Sequence, residues 1–170
     1  MSPLLGVAAM KIKFFTTGGT IDKVYFDATS EFEVGPPQVR EILQDSNVGF
    51  EYEIESILRK DSLDMTEKDR ELIRQRVLAD ACPLIVVTHG TDTMVETASI
   101  LGKSLKEKTV VLVGALIPYA FGASDALFNL GCAFSAVQAL SAGIYLTMNG
   151  KIFTWNHVRK NKKSGEFEEI

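Results

Sequence analysis

Short, almost purely apolar runs recur along the chain, and between them apolar residues return every three or four positions. The apolar runs predict buried strands at residues 11–16, 84–87 and 109–113. The three-to-four-residue periodicity predicts helices at residues 38–45, 66–80, 92–106 and 124–140. Residues 50–57 alternate apolar and acidic side chains, which predicts a further strand with one acidic face. Strands and helices therefore alternate along most of the chain.

Two segments are typical of antiparallel pairs. Residues 143–148 and 151–155 flank Asn149-Gly150, which is the strongest short hairpin signal in the chain. Residues 21–35 mix aromatic, acidic and glycine residues, which predicts a mobile flap or a hairpin. The whole pattern predicts an α/β fold: a mostly parallel sheet with helices on both faces, a flavodoxin- or Rossmann-like three-layer arrangement, with a C-terminal β-hairpin.

Composition narrows the function classes. At 170 residues the chain has the size of one domain, and its net charge of −4 gives no electrostatic reason to expect nucleic acid. With only His89 and His157, and with Cys82 and Cys132 far apart, we expect no metal site, no cofactor and no disulfide, but two buried thiols.

The amino terminus and the apolar runs bear on location. No run reaches the 18 apolar residues of a membrane span, so we expect no membrane partner and a cytoplasmic protein. Residues 1–9 lack a basic start and are a weak signal peptide at best. A second methionine, Met10, directly precedes the first strand, which suggests that the first nine residues are dispensable.

Two strand ends carry hydroxyl groups beside glycine. The first strand runs into residues 17–21, Thr-Gly-Gly-Thr-Ile, and the apolar run at 84–87 into residues 88–94, Thr-His-Gly-Thr-Asp-Thr-Met. Because sites form at the carboxyl ends of parallel strands, these ends make a plausible nucleophile-and-oxyanion site. Taken singly, each is equally well an ordinary turn in which glycine relieves strain and a threonine or aspartate caps a helix.

Together the two segments resemble the signature segments of the bacterial-type L-asparaginases, in the same order and at a similar separation. The resemblance continues through residues 110–115 and 124–130 and extends to about Lys160. It covers the amino-terminal domain of that family, so we expect residues 1–170 to form a single domain of this kind, without the family's carboxy-terminal domain. In the family's oligomers that second domain supplies acidic residues to a neighbouring site.

The resemblance implies roles for individual residues. Thr20 corresponds to the family's nucleophile, next to Gly19. Thr91, Asp92 and Lys160 correspond to its proton-transfer group. On its own, Lys160 is equally typical of a solvated basic tail, and Thr91 and Asp92 of helix capping.

A third segment corresponds to the family's substrate-binding loop. There Ser62 would hold an α-carboxylate with help from backbone amides, and Asp64 and Gly90 would line the same site. Where the resemblance leads us to expect glutamine the chain has Leu63, so an amide anchor for an α-amino group is missing. That leaves Asp92 as the expected main partner of an amino group. The plain alternative for Ser62 and Asp64 is loop chemistry before a helix.

The flap departs from the family as well. Aligning Val34-Gly35 with the family's pair puts Phe32 where a catalytic tyrosine is expected, and Tyr25 is the possible flap hydroxyl or merely a flap aromatic. Asp125 and Asn129 resemble a structural segment without chemistry.

These expectations combine in two functional hypotheses. The first is an amidohydrolase that converts asparagine, glutamine, a peptide amide or another small amide into acid and ammonia. The second is a non-catalytic small-molecule-binding module or pseudoenzyme. A nucleotide-binding domain is disfavoured, since no G-x-G-x-x-G or P-loop pattern follows the first strand. We expect a homo-oligomer, a dimer or tetramer, because the helix at 124–140 offers an apolar small-residue surface.

Overall fold

A computed structural model describes residues 11–170, so the expectation about residues 1–9 lies outside the described part of the chain. In chain order the strands are β1 (Ile12–Gly18), β2 (Lys23–Phe26), β3 (Glu31–Val34), β4 (Tyr52–Lys60), β5 (Leu84–Thr88), β6 (Thr109–Val113), β7 (Gly143–Met148), β8 (Lys151–Thr154), β9 (Arg159–Lys160) and β10 (Phe167–Glu168). The helices are α1 (Val39–Asp45), α2 (Glu67–Ala79), α3 (Met94–Ser104) and α4 (Ala126–Ala139). Three short 3₁₀ turns lie at Thr20–Asp22, Ser62–Asp64 and Tyr119–Phe121.

The central sheet has six strands in the order β4-β1-β5-β6-β7-β8. All its pairings are parallel except β7–β8, which is antiparallel around the Asn149-Gly150 turn. Asn149 has φ +49° and Gly150 φ +84°, the left-handed conformations that a tight hairpin turn requires. The predicted parallel sheet with a C-terminal hairpin at its edge is confirmed.

The sheet separates two apolar cores, so the predicted helices on both faces are present. On one face the sheet packs against α2 and α3, through side chains such as Ile73 and Leu101. On the other face it packs against α1 and α4, through side chains such as Ile42, Leu130 and Val137. Between the two layers the side chains of the middle strands are fully buried, which fits their continuous apolar runs.

The acidic side chains of β4 form ion pairs with a buried cation on β1. Lys13 on β1 is almost fully buried, and its Nζ lies 2.8 Å from Glu53 Oε1 and 2.9 Å from Glu55 Oε2. Burial of the ammonium acts to lower the pKa of Lys13, but the hydrogen bonds that Lys13 donates to Glu53 and Glu55 outweigh it and raise that pKa. The alternating glutamates of the sequence are therefore paired charges on an edge strand.

Some element bounds differ from prediction, at the ends of both strands and helices. β1 and β4 continue beyond the predicted 16 and 57, because Gly18 and Lys60 still pair across the two strands. Helix α3 begins at Met94 rather than residue 92, because its N-cap residue Thr93 has a non-helical backbone (φ −125°, ψ 23°). Helix α2 begins as expected, with a capping box in which Thr66 and Asp69 each accept from the other's backbone N–H.

Two further expectations concern chemistry outside the sheet. Cys82 and Cys132 are free thiols but are half-buried, so the expectation of fully buried thiols is wrong. Both lie near a surface, one before β5 and one on α4. Within residues 11–170, no helix is long and apolar enough to cross a membrane.

Candidate active site

Three strand ends meet in a contact with no room for an additional carbon. Gly19 follows β1, Gly90 follows β5 and Ser62 follows β4. A Cβ on Gly19 would lie 2.4 Å from the Gly90 nitrogen, and one on Gly90 would lie 2.6 Å from Ser62 Oγ. Gly19 also has φ +86°, which only glycine adopts readily. The glycines of the two motifs are therefore required by close approach as well as by backbone conformation.

Thr20 stands at the edge of this contact. It opens the turn Thr20–Asp22 directly after Gly19, and its side chain is partly exposed. The turn is fixed at its start by Gly19, whose N–H donates to the Lys60 carbonyl at 2.9 Å. A partly exposed hydroxyl on a fixed backbone is accessible to a ligand.

The second motif carries a hydrogen-bonded group of three side chains. Lys160 Nζ donates to Thr91 Oγ1 at 2.8 Å and lies 2.6 Å from Asp92 Oδ1. Thr91 is almost fully buried, whereas the Asp92 side chain is half-exposed. Thr20 directly follows Gly19 and Thr91 directly follows Gly90, so each threonine lies one residue along the chain from the Gly19–Gly90 contact.

Lys160 reaches the motif from the far end of the chain. It lies on β9, which pairs antiparallel with β10 and puts Lys160 opposite Phe167. Phe167 and the preceding Val158 are buried in the core on the α2–α3 face. The lysine is thus held by a short pair of strands packed on the domain, and the solvated-tail alternative does not apply to it: its side chain is only 15 % exposed.

The loop after β4 has one buried side chain, Ser62, followed by two exposed ones. Ser62 is buried and its Oγ has no hydrogen-bond partner among residues 11–170, which leaves a polar atom free for a ligand. Thr93 Oγ1 donates to the Ser62 carbonyl at 2.8 Å and so joins this loop to the second motif. Asp64 and Leu63 are exposed.

Two cavities lie on either side of that loop. One, of about 640 Å³, lies against the second motif and is lined by Leu63, Asp92, Val95 and Lys160 among others. The other, of about 580 Å³, lies towards the hairpin and includes Asp64 in its lining. The loop after β4 therefore divides the space around the strand ends into two compartments.

Strands β2 and β3 form the hairpin that the sequence left as flap or hairpin. Tyr25 and Phe32 are cross-strand partners, with ring centroids 5.3 Å apart, and Phe32 packs in turn on Phe121 at 5.1 Å. All three rings are about half-exposed. Lys23 at the start of β2 forms a 2.7 Å ion pair with Asp61 beside the Ser62 turn. Tyr25 is therefore held in an aromatic stack on the hairpin.

A buried carboxyl group lies two residues after Thr20. Asp22 is 1 % exposed, and its Oδ1 accepts a hydrogen bond from the Gln38 N–H at 2.9 Å. Burial raises the pKa of Asp22 to about 7, although the Gln38 hydrogen bond and the nearby Arg59 charge act to lower it. Its backbone carbonyl also accepts from the Gly35 N–H at 2.8 Å. Asp22 thus ties the Thr20 turn to the exit of the hairpin.

Other polar residues of the motifs have structural roles. His89 is fully buried between the Gly90 carbonyl and Thr97 Oγ1, each 2.7 Å from a ring nitrogen. Burial lowers the pKa of His89 to about 4, so the ring is neutral at pH 7. Asp125 accepts from the backbone N–H groups after β6, and Asn129 donates to the Gly114 carbonyl, as the structural assignment of that segment anticipated.

The sequence missed three residues that position the site. Asp22, Asp61 and Thr93 were not singled out, yet each fixes a turn that carries a candidate residue. For Asp61 a signal existed, because aspartate often begins a turn by accepting from the backbone N–H two residues later. Here Asp61 Oδ1 accepts from the Leu63 N–H at 3.1 Å. The burial of Asp22 has no comparable signal. Across the described residues 11–170, no three His, Cys, Asp or Glu side chains are grouped to hold a metal ion.

Comparison with known proteins agrees with this arrangement. Residues 11–167 match the family model described as asparaginase, N-terminal. The L-asparaginase of Thermococcus kodakarensis is 32% identical over 162 residues, covering 89% of this chain and 48% of that protein. L-asparaginase 2 of Escherichia coli is 32% identical over 171 residues, covering 91% of this chain and 47% of that protein.

The fold also agrees with that of a solved L-asparaginase. The solved structure of the thermostable L-asparaginase from Thermococcus kodakarensis superposes with a TM-score of 0.82 at 30% identity, over 95% of this chain and 51% of that one. The chain spans about half the length of the curated relatives it matches. With its two signature segments brought together at one edge of the sheet, the chain belongs to the asparaginase family, in the part that corresponds to the amino-terminal domain.

Proposed function

We propose that this chain is an asparaginase-like amidohydrolase that hydrolyses the side-chain amide of asparagine or a related small molecule. The observation that carries the proposal is the Lys160–Thr91–Asp92 group, with its 2.8 Å and 2.6 Å contacts, beside the Gly19–Gly90 contact that leads into Thr20. A binding site alone has no need of a lysine held against a threonine hydroxyl. Acid and base chemistry at an amide does need one.

In the proposed reaction Thr20 Oγ attacks the amide carbon and its proton passes to Thr91 Oγ1, while the hydrogen of the Thr91 hydroxyl passes to Lys160, which acts as a neutral amine in this step. Backbone N–H groups of the glycine turns stabilise the oxyanion. The C–N bond then breaks, the nitrogen takes up a proton and leaves as ammonia, and an ester to Thr20 remains. Water attacks that ester, which releases the acid and restores the Thr20 hydroxyl.

The contact between Lys160 and Thr91 allows a proton to move between them. Lys160 Nζ lies 2.8 Å from Thr91 Oγ1, so the proton that Lys160 takes up can return through Thr91 to the departing nitrogen. Asp92 holds the ammonium in place through Oδ1, and its second oxygen remains for a ligand. Ser62, whose buried Oγ has no hydrogen-bond partner within the described part of the chain, is the proposed donor to a substrate carboxylate.

Ammonia release tests the proposal directly, with asparagine, glutamine and a panel of small amides as substrates. We expect release by the wild type and a loss of about 10³-fold or more in kcat/KM in Thr20→Ala. Thr20→Ser keeps a hydroxyl and should retain measurable turnover. Thr154→Ala, on the exposed strand β8, is the matched threonine control and should behave as the wild type.

Two results would contradict the proposal. If no amide releases ammonia but asparagine or aspartate raises the melting temperature, the chain is the non-catalytic binding module that the sequence left open. If Thr20→Ala keeps the wild-type rate, another residue is the nucleophile.

We propose also that the protein is a homo-oligomer. Leu127 and Phe128 at the start of α4 are exposed although α4 otherwise packs on the sheet, and apolar surface of this kind is often covered by a second subunit. Light scattering after gel filtration tests this. A mass near 18.7 kDa would contradict it.

A further inference from the structure

We propose that Asp22 is a positioning residue for Thr20, and that the hydrogen bond between its carboxyl group and the Gln38 backbone N–H sets the rate at which Thr20 attacks. Asp22 touches no substrate in this proposal, because it acts through the turn that carries the nucleophile. The inference rests on the function proposed above, since it names a residue on which the chemical step of that function depends.

The turn Thr20–Asp22 is fastened at both of its ends. At its start, the Gly19 N–H donates to the Lys60 carbonyl at 2.9 Å. At its end, the Asp22 N–H donates to the Gly19 carbonyl at 3.1 Å, and the Asp22 carbonyl accepts from the Gly35 N–H at 2.8 Å. Thr20 is partly exposed and lies between these contacts, so its position follows from them.

The side chain of Asp22 adds a contact with a separate element. Its Oδ1 accepts from the Gln38 N–H at 2.9 Å, and Gln38 directly precedes α1. Helix α1 is itself anchored, because Val39, Ile42 and Leu43 are buried in the core that it shares with α4. The carboxyl group therefore fastens the turn of the nucleophile to a helix that packs on the sheet.

This contact is sealed from solvent, since Asp22 is 1 % exposed. Burial raises the pKa of Asp22 to about 7, although the Gln38 hydrogen bond and the charge of Arg59 on β4 act to lower it. At pH 6 the carboxyl group is therefore mostly neutral, and asparagine in its place would offer the same acceptor oxygen. Leucine would fill a similar volume and leave the Gln38 N–H without its acceptor.

The groups proposed to bind the substrate lie on other segments. Ser62 follows β4 and Asp92 follows β5, so neither belongs to the turn that Asp22 fastens. Loss of the Asp22–Gln38 bond should therefore displace Thr20 without displacing them. Because a misplacement of about 1 Å can cost about 10²-fold in rate, kcat should fall while KM changes little.

Two substitutions of Gln38 isolate the hydrogen bond and leave Asp22 intact. Gln38→Pro removes the N–H at a backbone conformation (φ −85°, ψ −10°) close to one that proline adopts. Gln38→Ala keeps the N–H and is the matched control. We expect Gln38→Pro to lower kcat by about 10- to 100-fold with a change in KM below about 3-fold, and Gln38→Ala to behave as the wild type.

Variants of Asp22 supply the reciprocal test at pH 6. Asp22→Leu should lower kcat as Gln38→Pro does, whereas Asp22→Asn should stay within about 3-fold of the wild type, because it keeps the acceptor. Val137→Ala, a buried position on α4, controls for a loss of stability alone and should leave kcat unchanged. The inference is overturned if Gln38→Pro keeps the kcat of Gln38→Ala, if Asp22→Asn is as slow as Asp22→Leu, or if KM rises as much as kcat falls.

Amide hydrogen exchange separates this inference from the proposed function. If the wild type cleaves no amide, the proposed function fails, and the exchange rate of the residue 22 N–H still decides the inference. That N–H donates to the Gly19 carbonyl and should exchange about 10-fold faster in Gln38→Pro than in Gln38→Ala, with the exchange of α4 unchanged. Equal exchange in the two variants overturns the inference whether or not the wild type is active.

Discussion

The turn after β5 and the β2–β3 hairpin lie at the same edge of the sheet but are built in opposite ways. The first is held from within: Thr91 is buried, bonded to Lys160 and adjacent to a glycine contact without spare room. The hairpin is held from outside, by the Lys23–Asp61 ion pair and a stack of half-exposed aromatic rings.

The difference separates the residues proposed for chemistry from those that surround the substrate. Catalytic groups need positions fixed within fractions of an ångström, and rigid strand ends provide them. The tip of the hairpin is fastened by half-exposed rings and its base by the Lys23–Asp61 pair and the Gly35–Asp22 backbone hydrogen bond, so we expect its tip to be looser than the turn after β5. We therefore expect mutations in the turn to affect turnover and mutations in the hairpin to affect ligand access.

The largest effect is expected at the lysine. Lys160→Met should lower kcat/KM by about 10²- to 10⁴-fold, because it removes the proton-transfer partner of Thr91. The measurement is steady-state ammonia release, with Lys163→Met on the neighbouring exposed turn as the matched control. Equal activity of the two variants would contradict the division drawn above.

The next largest effect is expected at the contact between Gly19 and Gly90. Gly19→Ala should destabilise the fold by about 2–5 kcal/mol, because a Cβ there meets the Gly90 backbone and φ +86° is strained for alanine. Urea unfolding measures it. Gly131→Ala, where a Cβ on α4 meets nothing within 4 Å, should instead stabilise by about 0.5–1 kcal/mol. Equal effects would show that the strand ends are looser than the contact implies.

Asp22, which joins the Thr20 turn to the exit of the hairpin, should make the free energy of unfolding depend on pH. In the folded protein its pKa is raised to about 7, whereas the unfolded value is 3.8, so the folded state holds the proton more tightly. Its stabilising contribution is therefore complete below pH 4 and is lost as the pH rises towards 7, by up to about 1.4 kcal/mol per pH unit.

Unfolding of wild type and Asp22→Asn in urea at pH 4, 5, 6 and 7 tests this. The free-energy difference between wild type and variant should fall steadily over that range. Asp27→Asn, in the exposed turn of the hairpin, should run parallel to the wild type. Parallel curves for Asp22→Asn would mean that its carboxyl group is ionised throughout.

The smallest effect is expected in the aromatic stack. Phe121→Ala removes one ring from the stack on Phe32 and should cost about 0.5–1.5 kcal/mol locally, with faster amide exchange in β2 and β3. Phe128→Ala, an exposed ring on α4, should leave that exchange unchanged. If Phe121→Ala lowered turnover as much as Lys160→Met does, the hairpin and the turn after β5 would not differ in the way proposed.

Much of the fold follows from local sequence patterns. Apolar runs and their spacing were sufficient to predict β5, β6, α2 and the β7–β8 hairpin, because each has its own period, cap or turn. The meeting of the two motifs was also predictable, since parallel strands present their carboxyl ends at one edge.

The remainder depends on long-range contacts that no local pattern encodes. Strands β9 and β10 have two residues each, so no periodicity marks them, and the burial of Lys160 depends on Phe167 packing on a distant core. The contact of Asp92 is of the same kind, since its partner Lys160 is 68 residues away. Asp22 is buried and accepts from the backbone N–H of Gln38, 16 residues further on, and no local pattern marks that contact.

The contact among Gly19, Gly90 and Ser62 has a consequence for how such a protein diversifies. Gly19 and Gly90 have no room for one more carbon, so we expect sequence drift and directed evolution alike to keep both glycines. Leu63, one residue further on, is free of that restriction. A library confined to position 63 and its neighbours in the cavity is therefore the shortest experimental route to new substrates on this scaffold.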